Sequence, residues 1–251
     1  MGPYGEAFAE FYDRFFGDYA EKAAGPLLNF FDSQPVALDY PRILDLGCGT
    51  GRLAFRFLEA GYGFTGLDLS RPMLALAEKR CARHLASGKA RFLHVDMADF
   101  RVEESFGLAV STYNAMNHLD SESRLRECFR AVLQCLSPTG FFLFDFHTLR
   151  GLEEWALPQS VEFAEGRMEA EGSFEKATGQ ATLRLKGTWK NQVLKEEIRN
   201  RSFSLEKLVE LLRQEGFSPT LFTRIDDLGS SLPKPEQEKR VFVLTRPAGP
   251  S

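Results

Sequence analysis

Residues 43–51 read Ile-Leu-Asp-Leu-Gly-Cys-Gly-Thr-Gly, where a short apolar segment gives way to helical periodicity. Glycines at alternate positions, Gly47, Gly49 and Gly51, permit a tight turn and let a ligand approach the backbone closely. The helix that follows presents unpaired N–H groups suited to a carboxylate or a phosphate. A dinucleotide fingerprint needs G-x-G-x-x-G, but Arg52 stands where its third glycine belongs. A P-loop needs Gly-Lys-Ser/Thr, and Thr50-Gly51-Arg52 takes that place. What remains is G-x-G-x-G with Asp45 two residues upstream. Asp68, 21 residues beyond Gly47, ends a second apolar segment, where a carboxylate can accept both hydroxyls of a ribose. Asp96, followed by Met97, stands at the matching end of a third, where it could accept an exocyclic amine while Met97 packs on an adenine ring. Singly, Asp68 reads equally as a helix-capping turn and Asp96 as a loop carboxylate. Together, sites at three successive strand ends point to a nucleoside-bearing ligand.

Alternating strands and helices must position these residues. Strands are predicted at Arg42–Leu46, Phe64–Leu69, Arg91–Val95, Leu108–Thr112 and Phe141–Phe146. Between them, Leu53, Phe57 and Leu58 mark a helix stopping at Gly61, and Ser70 caps a helix with Pro72 in its first turn and Met73, Leu76 and Ala77 inward. A helix from about Asp120 to Leu136 turns through Ser-Pro-Thr-Gly at 137–140. Such alternation means βαβ units and a parallel sheet covered on both faces. The first forty residues read as amphipathic helix, with Phe8, Phe11, Tyr12, Phe15 and Phe16 at three- and four-residue steps. From about 158 to 203 the pattern is that of antiparallel strands. Ser204 then caps a helix ended by Gly216, and strands follow near Thr220–Ile225 and Arg240–Leu244, separated by a loop with Pro233 and Pro235. Dinucleotide-binding domains usually lack such a closing antiparallel hairpin.

The set Asp45/Gly47/Gly49/Gly51, Asp68 and Asp96-Met97 resembles motifs one to three of the class I (Rossmann-like) S-adenosylmethionine-dependent methyltransferases. The resemblance is strongest over residues 40–150 and follows element order through the whole chain. It implies an α/β fold with a seven-stranded, mostly parallel sheet of order 3-2-1-4-5-7-6, strand 7 antiparallel, flanked by helices. It also implies S-adenosyl-L-methionine as cofactor and S-adenosyl-L-homocysteine as product. Asp68 would then hold the ribose, Asp96 and Met97 the adenine, and the glycine loop with Cys48 the methionine half. Leu69, Met73, Thr112 and Asn114 join them as implied cofactor contacts. Thr112–Leu119, Phe144-Asp-Phe-His147, the β-rich insertion and Tyr12-Asp13 are similar to a subset acting on small molecules. In that subset an N-terminal helix closes over the cofactor, with the tyrosine near the methionine moiety, and a small antiparallel sheet covers the acceptor. By this likeness residues 1–40 form a helical lid, 41–150 with 204–251 the core, and 151–203 an insertion that serves as acceptor cover or dimer contact.

Other acceptor classes lack their residues. Ser111-Thr-Tyr-Asn114 is not the Pro-Pro-aromatic tetrapeptide of base-amino methyltransferases, and no Pro-Cys occurs for cytosine C5 chemistry. Glu153-Glu154 are adjacent and misplaced for arginine methylation, and the Asp and Asp-Asn set of metal-dependent catechol enzymes is missing. The expectation is in-line transfer to N or O of a small metabolite, which mainly requires positioning and exclusion of water. An oxygen acceptor gains from a base, and a histidine of pKa near 6.5 suits that role. His147 and His118 both fall just beyond strand ends, where ligands bind in open α/β sheets. Tyr113 and Asn114 could supply a polar edge at the methyl-transfer site, as Tyr12 could from the lid. His84 and His94 read as structural. Trp155 and Trp189 could wall an acceptor or contact an ammonium, although core of the small sheet is the commoner role. Competing readings are an RNA- or protein-directed methyltransferase using Lys186, Lys190, Lys195, Arg199 and Arg201, and a cofactor-binding scaffold without chemistry.

Composition sets the outer bounds. The chain has 251 residues, 43% apolar, and a net charge of −4, enough for one large α/β domain. No apolar run approaches the ~20 residues of a membrane span, and the N-terminus has no basic region followed by an apolar stretch. The acidic balance argues against nucleic acid as partner. Four cysteines without a CxxC pair and four histidines without HExxH argue against a metal site. The expectation is a cytoplasmic protein, monomer or homodimer, with free thiols and a small-molecule acceptor.

Overall fold

Period-two alternation divides the strands between two apolar layers. In β1 (Arg42–Leu46), Leu44 and Leu46 enter one layer and Ile43 the other, which leaves Asp45 on Ile43's face. The computed structural model describes residues 4–163, 165–227 and 238–249. β1 pairs in parallel with β2 (Gly63–Asp68) and with β4 (Phe106–Ser111); β3 (Ala90–His94) extends the sheet beyond β2. β5 (Leu136–His147) lies parallel to β4 and sends Phe142, Phe144 and Phe146 into the first layer and Leu143 into the second. Asp145 and His147 therefore share Leu143's face.

The N-terminal forty residues form not one helix but α1 (Glu6–Phe15), α2 (Asp18–Asp32) and the short α3 (Val36–Asp39). The chain reverses at Gly17, where a Cβ would lie 2.2 Å from Arg52 Nε. α2 packs with α4 (Arg52–Glu59) on one face of the sheet, burying Leu27, Phe31, Leu53 and Phe57. α5 (Arg71–Arg80) is capped as expected, Ser70 Oγ accepting from Met73 N–H, and α6 (Ala82–Ala86) leads into β3. α7 (Glu122–Cys135) covers the opposite face through Leu125, Phe129 and Val132.

β5 begins five residues before its expected start. Phe106 pairs with Leu136 and Leu108 with Phe141, so the Ser-Pro-Thr-Gly stretch bulges out of the ladder instead of ending it. After α8 (Leu149–Trp155), β6 (Gln159–Phe163), β7 (Gly166–Glu175), β8 (Gln180–Trp189) and β9 (Gln192–Arg201) form a four-stranded antiparallel sheet in sequential order. α9 (Leu205–Gln214) joins α7, capped by Ser204 and followed by Gly216 at φ +90°. β10 (Thr220–Phe222) stops three residues short of the expected Ile225, which opens a 3₁₀ turn. β11 (Arg240–Thr245) inserts antiparallel between β5 and β10, giving the order β10-β11-β5-β4-β1-β2-β3. This is the expected 3-2-1-4-5-7-6 topology. The loop with Pro233 and Pro235 lies outside the described residues.

Candidate active site

The glycine loop leaves β1 with Gly47, Gly49 and Gly51 all at positive φ (+76°, +54° and +72°). Gly47 and Cys48 N–H both donate to Leu67 O, at 2.8 and 2.9 Å, which ties the loop to β2. A Cβ on Gly51 would come within 2.7 Å of Ala77 Cβ, so this glycine lets α4 approach α5. At Gly49 nothing lies within 4 Å of such a Cβ, and the turn is an open cradle. Asp68 closes one side. Its Oδ2 accepts from Gly49 N–H and its Oδ1 from Ser70 N–H, both at 2.8 Å, fixing the carboxylate and leaving lone pairs for further donors. Asp45 is fully buried with Oδ1 unpartnered; burial, together with the charge of Asp68, pushes its pKa up to about 8. Asp45, Gly47, Gly49, Thr112, Tyr113 and Tyr12 face one cavity of about 40 Å³, which Cys48 also borders.

α1 roofs this cavity. Its Phe8 and Phe11, with Phe15, pack with Met73 against the inner face of the four-stranded sheet at Met168, Leu183, Leu185 and Trp189. Trp189 belongs to that apolar cluster, its ring edge-on to Phe11 (5.7 Å) and Phe15 (5.1 Å), and Trp155 packs at the cluster's margin. Asp13 anchors α1 to the glycine loop and α5. It accepts from Thr50 Oγ1 (2.6 Å), Arg52 Nε (3.0 Å) and Arg80 Nη2 (2.9 Å). Burial raises its carboxyl, but these hydrogen bonds and charges outweigh burial and hold it below the usual range. Ahead of α1, the Tyr4 carbonyl accepts from Ser70 Oγ (3.0 Å), its hydroxyl lies 3.3 Å from His118 Nε2, and Gly5 N–H donates to Glu196 Oε1 (2.8 Å). Burial and the charge of Asp68 raise the Tyr4 phenol.

The end of β4 carries the second half. Tyr113 and Asn114 are consecutive non-glycine residues at positive φ (+63° and +55°). Asp145, fully buried on β5, accepts from Asn114 N–H (2.6 Å) and from the Tyr19 hydroxyl (2.7 Å). Arg240 of β11 approaches Asp145 Oδ2 with Nε (3.5 Å) and donates through Nη2 to Asn114 Oδ1 and His147 Nε2, each at 3.0 Å. Burial and the Arg240 charge drive His147 down to about 3. His147 is therefore neutral at pH 7. His118 is exposed at the end of the 3₁₀ turn that follows β4.

Other expected residues have partners of their own. Asp96 accepts from Ala98 N–H (2.9 Å) and pairs with Arg124 of α7, while Met97 packs on the α7-side core. Leu69 is exposed, and its carbonyl meets His94 Nε2 at 2.9 Å. His84 pairs with Glu59 at 2.8 Å. Tyr4, Tyr19, Asp145 and Arg240 were not singled out from the sequence for the site. Asp145 lies inside the Phe144–His147 motif, but nothing near Arg240 signals its role. The outer face of the four-stranded sheet pairs Arg184 and Arg199 with Glu197 and Lys186 with Glu171. Among the described residues no helix is long and apolar enough to cross a membrane.

Residues 43–140 match the family model described as a methyltransferase domain. The sequence is 31% identical to an uncharacterized methyltransferase of Geobacillus kaustophilus over 64% of this chain and 73% of that protein. It is 28% identical to a dTDP-3-amino-3,4,6-trideoxy-alpha-D-glucopyranose N,N-dimethyltransferase of Streptomyces venezuelae, over 65% and 62% of the two chains. The fold is similar to the crystal structure of an S-adenosylmethionine-dependent methyltransferase from Clostridium acetobutylicum, with a TM-score of 0.82 at 19% identity, covering 96% of this chain and 98% of the other.

Proposed function

Because this chain belongs to the class I S-adenosylmethionine-dependent methyltransferases, we propose that it methylates a nitrogen or oxygen nucleophile of a small metabolite by in-line displacement. The likeness to an amino-sugar N,N-dimethyltransferase supports this acceptor class. The carboxylates of Glu171 and Glu197, set among the cations of the insertion's outer face, weaken its attraction for a phosphate backbone and support it further.

The residues present fit the cofactor. The open cradle at Gly49, the unpartnered buried oxygen of Asp45 and the tethered Asp68 carboxylate are a matched set of acceptors and exposed backbone. Asp68 holds the ribose hydroxyls, the glycine loop and Cys48 the methionine half, and Asp45 its ammonium group. Tyr12, Thr112 and Tyr113 shape the reacting end. When bound, S-adenosylmethionine supplies a methyl group activated by its sulfonium. α1 keeps water from the reacting end, where it lines a cavity of about 40 Å³. Of the two histidines His118 is exposed, its Nε2 3.3 Å from the Tyr4 hydroxyl, whereas His147 is buried with its Nε2 taken by Arg240. An amine acceptor needs only to reach the site unprotonated. The insertion covers the acceptor.

The orientation of Asp68 carries this reading. Calorimetric titration should give binding of S-adenosylmethionine and S-adenosylhomocysteine and none of NAD. Asp68→Ala should weaken both by at least about tenfold, as expected for lost hydrogen bonds to a charged group. Unchanged affinity would remove Asp68 from the ribose site.

A further inference from the structure

We propose that Asp145 is a positioning residue for methyl transfer, holding the ring of Tyr113 against the cofactor cavity by binding the backbone amide of the next residue, Asn114. The inference rests on the methyltransferase reading above. Two adjacent non-glycine residues in the left-handed region are costly and persist only where their surroundings over-determine them. Here the surroundings are explicit. The backbone amide of Asn114 donates to the buried Asp145 carboxylate at 2.6 Å, which pins this turn to β5. Tyr19 supplies a further hydrogen bond from α2 and Arg240 a charge from β11. Arg240 also holds the Asn114 side chain at 3.0 Å, and its guanidinium lies 4.9 Å from the Tyr19 ring centre and 5.9 Å from that of Tyr113. The carboxylate thus joins β4, β5, β11 and the N-terminal helices at one buried point.

The consequence falls on the ring. Tyr113 faces the same cavity as Gly47 and Gly49, in contact with Tyr19 (4.7 Å between centres) and Tyr12 (6.0 Å). Three phenol rings make an aromatic wall opposite the glycine loop. Such a wall attracts a cation through its ring faces. S-Adenosylmethionine carries a sulfonium and S-adenosylhomocysteine a neutral thioether, so a correctly set wall favours the first.

This difference supplies the test. Wild type and Asp145→Asn are titrated calorimetrically with each compound, with thermal melts in parallel. The variant should lose about tenfold in affinity for S-adenosylmethionine, the scale of a cation–π contact, and less than about twofold for S-adenosylhomocysteine. Adding Asn114→Gly, which accepts positive φ without strain, should restore most of the lost affinity. Should Asp145→Asn fail to fold, Tyr113→Ala decides: it should show the same selective loss. Equal loss of both compounds, in whichever variant is measured, overturns the positioning role while leaving the methyltransferase reading intact. Wild type that binds neither compound overturns both.

Discussion

Asp45 and Asp68 stand at one loop with like charge, yet the fold treats them differently. Asp68 is tied by two backbone amides, while Asp45 is buried with an oxygen unpaired. An unpaired buried carboxyl is a cost carried for a ligand. The pKa of Asp45 rises from 3.8 to about 8 on folding, so between those values the native state holds a proton that the unfolded state has released. Stability therefore falls as pH rises through this window and levels off above it. Asp45→Asn removes that slope. Thermal melts should show the variant more stable than wild type at pH 8, with a smaller gain at pH 5, while calorimetry shows weaker S-adenosylmethionine binding. A variant less stable at pH 8 would mean that Asp45 has a partner in the folded protein.

At the scale of elements, α1 is held by two different kinds of contact. Its aromatic face shares one apolar cluster with the four-stranded sheet, where burial of each phenylalanine contributes roughly 1.5–3 kcal/mol. Its polar side reaches the glycine loop through Asp13, which gathers Thr50, Arg52 and Arg80. Removing the second contact should loosen α1 from the loop while leaving it on the sheet. Asp13→Ala is therefore expected to raise amide hydrogen exchange across residues 6–15 and to speed release of S-adenosylhomocysteine in stopped-flow, with β1 and β4 protected as before. Unaltered exchange would show that the aromatic cluster holds the helix unaided.

For the whole molecule, buried titratable groups shape the pH dependence of stability from both sides. Buried His147 falls from 6.5 to about 3, so below pH 6.5 the unfolded chain takes a proton that the native state refuses. Its contribution is lost progressively as pH falls. Asp13 and Glu215, both held below the usual range, are protonated at still lower pH, and their ties between helices go with them. Asp45 acts in the opposite direction up to pH 8. The midpoint of thermal unfolding should accordingly decline from pH 6.5 to 8 and drop steeply below pH 4. A midpoint still climbing from 6.5 to 8 would contradict the raised value at Asp45.

The sequence by itself determined whatever is encoded within a turn or one βαβ unit. The glycine loop, the Ser70 and Ser204 caps, the alternation of β1, β2 and β4 and the tethered Asp68 all depend on residues close in the chain, whose spacing is a local steric fact. It also made the order of the sheet legible, because an open α/β sheet closed by a late hairpin has few arrangements. Only the tertiary structure decided the groups that meet across the molecule. The antiparallel register of β5 and β11 sets Arg240 opposite His147, and from there it reaches Asp145 and Asn114; no periodicity near Arg240 announces this. The same holds for Tyr4 beside His118 and Asp13 beneath Arg80. Whether His147 keeps its ordinary pKa was likewise beyond local pattern, since burial and the charge of Arg240 set it and both exist only once the chain has closed around the site.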